Sequence, residues 1–130
     1  MRVLFVCGGN TCRSPMAVAI MHGLFPAVHA ESAGIAPYGS GATADTCWVV
    51  SDLYGIDLTA HHPRDVRSVR LSDFDLVVTM EPYIGRELQG THPSLVQWSV
   101  VDPYLQGRQA YEKCACQLEQ LIRDLIGTGK

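Results

Sequence analysis

No apolar run in this chain approaches the roughly 20 residues needed to cross a bilayer. Five apolar residues follow Arg2 before Gly8-Gly9-Asn10 breaks the run. A secretory leader needs roughly 7–15, so the N-terminus does not read as one, and the expected compartment is the cytoplasm. Charge is scarce as well: 18% of residues are charged, the net charge is −3, and no basic stripe exists. Nucleic acid is therefore excluded as a natural partner, and a membrane surface is not expected either. An acidic protein that binds phosphate must concentrate its positive potential in one pocket. The sequence also lacks any Cys-x-x-Cys pair, and its cysteine count is odd: Cys7, Cys12, Cys47, Cys114 and Cys116. Both facts argue against a disulfide framework and a zinc site. Cys47, Cys114 and Cys116 read as small buried hydrophobes. The pair His61-His62 has no third ligand at metal spacing, so neither a metal nor a cofactor is expected. The Gly-Lys-Ser/Thr ending of a nucleotide loop is missing, and so is a GxGxxG fingerprint. There is no internal repeat, low-complexity tract or spare linker.

What is present is an apolar fraction of 47% in 130 residues, enough for one core and a single domain over 1–130. Residues 2–7 read as a buried strand. Ser14-Pro15 opens a helix, with serine as its cap, and that helix runs to about Phe25. Residues 28–33 form a second strand closed by Gly34. A helix over 43–54 stops at Gly55, and 65–71 is a short helical turn. Asp75–Met80 is the third strand, Pro82 opens a short helix, and 95–100 is the fourth strand. A last helix spans about 109–126, with Tyr111, Cys114, Leu118, Leu121, Ile122 and Leu125 as its apolar stripe. Alternating strands and helices predict an α/β fold: a parallel sheet with helices on both faces. Trp48 and Trp98 are expected in the core, His22 and His29 at the surface, and Arg64, Arg67 and Arg70 on a solvated face.

In such folds ligands bind beyond the carboxyl ends of the strands. Residues 7–15, CGGNTCRSP, link the first strand to its helix. The first N–H groups of a helix have no internal partners, and the helix dipole adds positive charge there. Gly8, Gly9 and Asn10 tolerate a backbone curled around an anion. The result is a phosphate cradle with a thiol at one end and a guanidinium at the other. Arg13 offers a planar fork matching two phosphate oxygens. Cys7 is the candidate nucleophile, because helix N-termini and nearby cations favour a thiolate. Ser14 can donate its hydroxyl to that sulfur. Asp102, just past the fourth strand and stiffened by Pro103, is the candidate general acid and base; as an Asp-Pro pair it also fits an ordinary turn.

CGGNTCRSP resembles the C-x-G-N-x-C-R-S-P signature of the low-molecular-weight protein-tyrosine phosphatases. Further matches follow in order: Glu31-Ser32-Ala33-Gly34, Gly55-Ile56-Asp57 with His61, Asp75-Leu76-Val77 leading to Met80, and Asp102-Pro103-Tyr104. The resemblance implies a four-stranded parallel sheet of flavodoxin-like order 2-1-3-4. It implies Cys7 as nucleophile, Arg13 as phosphate clamp and Asp102 as general acid. Asn10 and Ser32 would shape the loop, and Cys12 would pair with Cys7 under oxidation and shield it. Gly8, Gly9, Asn10, Thr11, Cys12 and Ser14 would line the substrate site, with Tyr104 and Tyr38 as walls. The partner implied is a phosphorylated protein, met by a monomer or weak dimer. Three departures stand out. Gly8 replaces a common leucine or threonine, Val18 a common glutamate, and Leu105 a second aromatic beside the pocket. Thr11 is similar to the threonine of the related protein-arginine phosphatases, so phosphotyrosine and phosphoarginine both remain open as substrates. An arsenate reductase on the same fold would need a thiol relay, and residues 81–95 hold no cysteine.

Overall fold

The computed structural model describes residues 1–127. Strand β1 (Arg2–Cys7) lies between β2 (His29–Gly34) and β3 (Leu76–Thr79), with β4 (Leu95–Gln97) outside β3. All pairs are parallel, and the order is 2-1-3-4 as expected. Strands covered on both faces need no polar alternation, which is why β1 reads as an unbroken apolar run.

Alternate residues of β1 feed two cores. Val3, Phe5 and Cys7 face α1 (Arg13–Leu24), α2 (Ala44–Tyr54) and α4 (Arg108–Gly127). Leu4 and Val6 face the other side, where they pack with Ile84 and Leu88 from α3 (Pro82–Glu87) and its exit, and with Val66 and Phe74. Helix α1 is buried around most of its girth because it lies against the sheet, α2 and α4 together. Helix α2 starts with Thr43, whose hydroxyl accepts the Thr46 N–H, and ends at Gly55 in the left-handed region.

Several details differ from the sequence reading. The helical turn expected over 65–71 is two 3₁₀ turns, Val66–Ser68 and Leu71–Asp73. Strand β4 stops at Gln97 instead of 100. Beyond it the Trp98 and Val100 N–H groups still donate to Thr79 and Met80 carbonyls. The chain thus stays beside β3 but leaves the ladder register as it carries Asp102 outward. Trp48 is not core: α2 buries Thr46, Val49 and Val50, leaving Trp48 51% exposed beneath the Arg108 guanidinium. Trp98 does pack on the core, against Phe5. Cys116 is exposed, because it sits two residues from buried Cys114 and so on another face of α4; Cys47 is only half-buried. Among the described residues no helix is long and apolar enough to cross a membrane.

Candidate active site

Cys7 is the last residue of β1, paired with Gly34 and buried. Its Sγ lies 2.9 Å from Ser14 Oγ and receives the Asn10 N–H at 3.3 Å. The Ser14 hydroxyl oxygen also accepts from Asn10 Nδ2 at 2.9 Å. When Cys7 is a thiolate it has no proton to give, so the Ser14 hydroxyl is then the donor in this contact. Ser14 is therefore not the helix cap that the sequence suggests. The cap position falls on Cys12, no side chain caps the helix, and Pro15 is its third residue. The uncapped amides face the cradle, where an anion can take the place of a cap.

Asn10 is fully buried at φ +58°, a left-handed conformation that asparagine tolerates better than most residues. Its side chain holds the loop in that shape. Nδ2 donates to Ser32 Oγ at 2.9 Å, and Oδ1 accepts the Arg64 N–H at 2.9 Å. A second layer backs these bonds. His61 Nε2 donates to the Asn10 carbonyl at 2.7 Å, and Arg64 Nε donates to the Ser32 carbonyl at 3.0 Å while its guanidinium pairs with Glu31. Arg64 is thus a loop support and not one of a solvated set. His61 and His62 point at different carbonyls, those of Asn10 and Ser40.

Arg13 opens α1 and is 5% exposed. Nη1 donates to the Val100 carbonyl at 2.9 Å, and Nη2 pairs with Glu81. Asp102 Oδ2 stands 3.6 Å from the same nitrogen. Burial alone would lower the Arg13 pKa, but the bond to Glu81 and the charges of Cys7 and Asp102 outweigh it and raise it. The guanidinium therefore stays cationic. Asp102 Oδ1 accepts the Tyr104 N–H at 3.1 Å, and its side chain is half exposed at the mouth. The fold thus sets both Cys7 and Asp102 within electrostatic reach of Arg13.

Tyr38 and Tyr104 meet edge to face with ring centroids 6.4 Å apart. Gly9 is bare because Tyr38 lies over it: a Cβ there would stand 2.1 Å from the ring. Gly8 is half-buried beside it. Thr11 is buried, with its carbonyl accepting the Thr43 N–H that begins α2. Cys12 is buried too, and burial pushes its thiol up to about 12, against the opposing bond to Thr46.

Sequence reasoning passed over Glu81 and Tyr83, and it gave His61 and Arg64 no part in holding the loop. Glu81 and Tyr83 follow the end of β3, so the rule that sites gather past strand ends could have found them. His61 and Arg64 lie in an irregular connection, and nothing in their spacing announces a partner 51 or 54 residues away.

A buried thiol under inward-facing donors, a captive guanidinium and a carboxylate at the mouth define a phosphate-handling α/β site with cysteine at its base. The chain matches the model of the family described as low molecular weight phosphotyrosine protein phosphatase over residues 2–129, and it belongs to that family. A probable low molecular weight protein-tyrosine-phosphatase, EpsP of Ralstonia solanacearum, is 33% identical over 91% of this chain and 88% of its own. The crystal structure of a low molecular weight protein tyrosine phosphatase from T. tengcongensis superposes with a TM-score of 0.90, at 36% identity, covering 98% of this chain and 99% of that one. The YwlE arginine phosphatase from Geobacillus stearothermophilus superposes at 0.79, with 27% identity over 95% of this chain and 89% of its own.

Proposed function

We propose that this protein hydrolyses phosphotyrosine in proteins through a phospho-cysteine intermediate. The Cys7 thiolate attacks phosphorus in line, the P–O bond to the tyrosine breaks, and Asp102 gives its proton to the departing phenolate oxygen. Arg13 and the loop amides hold the equatorial oxygens as charge spreads over them. Water then attacks the phosphorus, the Asp102 carboxylate takes its proton, and the S–P bond breaks. The Ser14 hydroxyl donates to the leaving thiolate, and inorganic phosphate departs. The observation that carries this reading is Cys7 Sγ facing both the Asn10 N–H and the Ser14 hydroxyl, in a pocket where Arg13 and Asp102 stand 3.6 Å apart. No metal or cofactor takes part. Gly8, Gly9, Thr11 and Cys12 complete the cradle, Ser32 supports it, and Tyr38 and Tyr104 flank the substrate ring. Cys12 is the oxidation partner of Cys7. The enzyme acts on phosphorylated proteins in the cytoplasm, as a monomer or weak dimer.

Thr11 supports a second reading, phosphoarginine, with the same steps and a guanidinium as leaving group. Its methyl faces the loop at Gly39, next to the Tyr38 wall, and its hydroxyl is bonded to no other described residue. A free hydroxyl there can accept from a guanidinium N–H. An arsenate reductase would need a thiol relay, and the segment 81–95, which carries α3, has no cysteine.

Rates on phosphotyrosine and phosphoarginine peptides, measured side by side for wild type, Cys7→Ser and Thr11→Ile, test both readings. Phosphotyrosine turnover that vanishes in Cys7→Ser is expected. Loss of phosphoarginine activity in Thr11→Ile would favour the second reading. Residual turnover in Cys7→Ser would contradict both.

A further inference from the structure

We propose that Tyr83 contacts the substrate and helps select it, and that Gly8 is bare to make room for the Tyr83 hydroxyl. This deepens the reading of Cys7 as nucleophile and rests on it. Gly8 follows the nucleophile directly. Its φ lies outside the left-handed region, so backbone conformation does not demand glycine there. Space is tight: a Cβ on Gly8 would stand 3.2 Å from Tyr83 Oη, closer than ordinary van der Waals contact, so the phenol would have to give by a few tenths of an ångström. The neighbouring glycine is covered in the same way, by Tyr38. Two tyrosines from different elements, the loop after β2 and helix α3, thus lie over two consecutive cradle glycines.

Tyr83 is 41% exposed, so it has not been drawn into the core as an ordinary apolar residue of α3 would be; α3 buries Ile84 and Gly85 instead. Its phenol lies within electrostatic reach of Glu81, Arg13, Cys7 and Asp102. Burial, then the Glu81 carboxylate, pushes its pKa up, so the hydroxyl keeps its proton at neutral pH and remains a donor. The wall beside the nucleophile is therefore a phenol and not an alkyl group. Such a wall favours a planar leaving group, phenol or guanidinium, that can lie against a ring and meet a hydroxyl at its edge. A serine or threonine phosphate offers no such plane.

The test is steady-state kinetics of the full chain on a phosphotyrosine peptide, comparing wild type, Tyr83→Ala, Tyr83→Phe, Gly8→Ala and the Gly8→Ala/Tyr83→Phe double variant. Removing one aromatic contact of ordinary strength should raise KM about 2- to 12-fold for Tyr83→Ala, with kcat moving less. Gly8→Ala should raise KM by crowding the hydroxyl, and Tyr83→Phe should recover part of that loss. The recovery makes the two effects non-multiplicative, as contact between residues 8 and 83 requires; the rise in KM of Tyr83→Ala with kcat moving less is the readout that a merely structural role would not give. Unchanged KM in Tyr83→Ala, or effects of Gly8→Ala and Tyr83→Phe that simply multiply, overturns the proposal while leaving the nucleophile reading intact. If Gly8→Ala does not fold, Tyr83→Ala decides alone, since Tyr83 is at the surface. A wild-type enzyme without phosphatase activity, or an active Cys7→Ser, defeats both.

Discussion

Replacing Asn10 separates the contribution of its side chain from that of its backbone. The side chain makes three hydrogen bonds, to Ser14, Ser32 and the Arg64 N–H, all in a fully buried site. At about 1 kcal/mol net each, their loss costs about 3 kcal/mol, and the groups left unpaired push the figure upward. Asn10→Gly removes the bonds but suits φ +58°. Asn10→Ala removes the same bonds and keeps a Cβ in the left-handed region without the polar side chain that lets asparagine tolerate it, which costs about 1 kcal/mol more than glycine. The expected losses are therefore about 3 kcal/mol for glycine and about 4 for alanine. Against a total of about 5–15 kcal/mol, either is a large share. Urea unfolding followed by circular dichroism reads both values. Activity should fall in parallel, because the Asn10 amide that faces Cys7 Sγ loses its anchorage. An Asn10→Gly variant within about 1 kcal/mol of wild type would refute this reasoning. So would alanine proving no worse than glycine.

Leu105 is 80% exposed and sits at φ +61°, where a branched side chain is strained. Leu105→Gly should raise stability by about 0.5–1 kcal/mol, seen as a higher urea midpoint; a lower one contradicts the strain. Iodoacetamide at neutral pH should label exposed Cys116 readily and spare Cys12 and Cys114, whose thiols burial pushes up to about 12; mass spectrometry of peptides shows which react. Glu31 is raised by burial, but the bonds and charges of His29 and Arg64 outweigh that and hold it below the ordinary carboxylate range. Its contribution is thus present above about pH 4.5 and is lost as pH falls through the lowered folded value. Between pH 6 and 3 the urea midpoint of wild type should drop more than that of Glu31→Gln, and equal drops would deny the linkage.

How much of this was readable in advance follows the range of the interactions. Strand β1, the cradle and the order of elements are local patterns: an apolar run, glycines, an Arg-Ser-Pro helix start. Cys7, Arg13 and Asp102 stand out as candidates because loop chemistry and strand-end topology point the same way, and the fold sets Asp102 3.6 Å from Arg13. The part that escaped is tertiary. Ser14 looks like a helix cap in one dimension, but its hydroxyl is taken by Cys7 and Asn10. Trp48 has the size and apolarity of a core residue, but the face of α2 that meets the core is Thr46, Val49 and Val50 and bypasses it. Arg64 resembles Arg67 in sequence; only the folded chain sends it to Asn10 and Ser32.

The measurement closest to the central claim is a search for phosphorus on residue 7 during turnover. Acid quenching of wild type and Asp102→Ala, mixed with an activated aryl phosphate, should trap a phosphorylated peptide containing Cys7. The variant should hold more of it, because the second step has lost its base. Phosphate on another side chain, or full activity after Cys7 has been alkylated, would contradict the account.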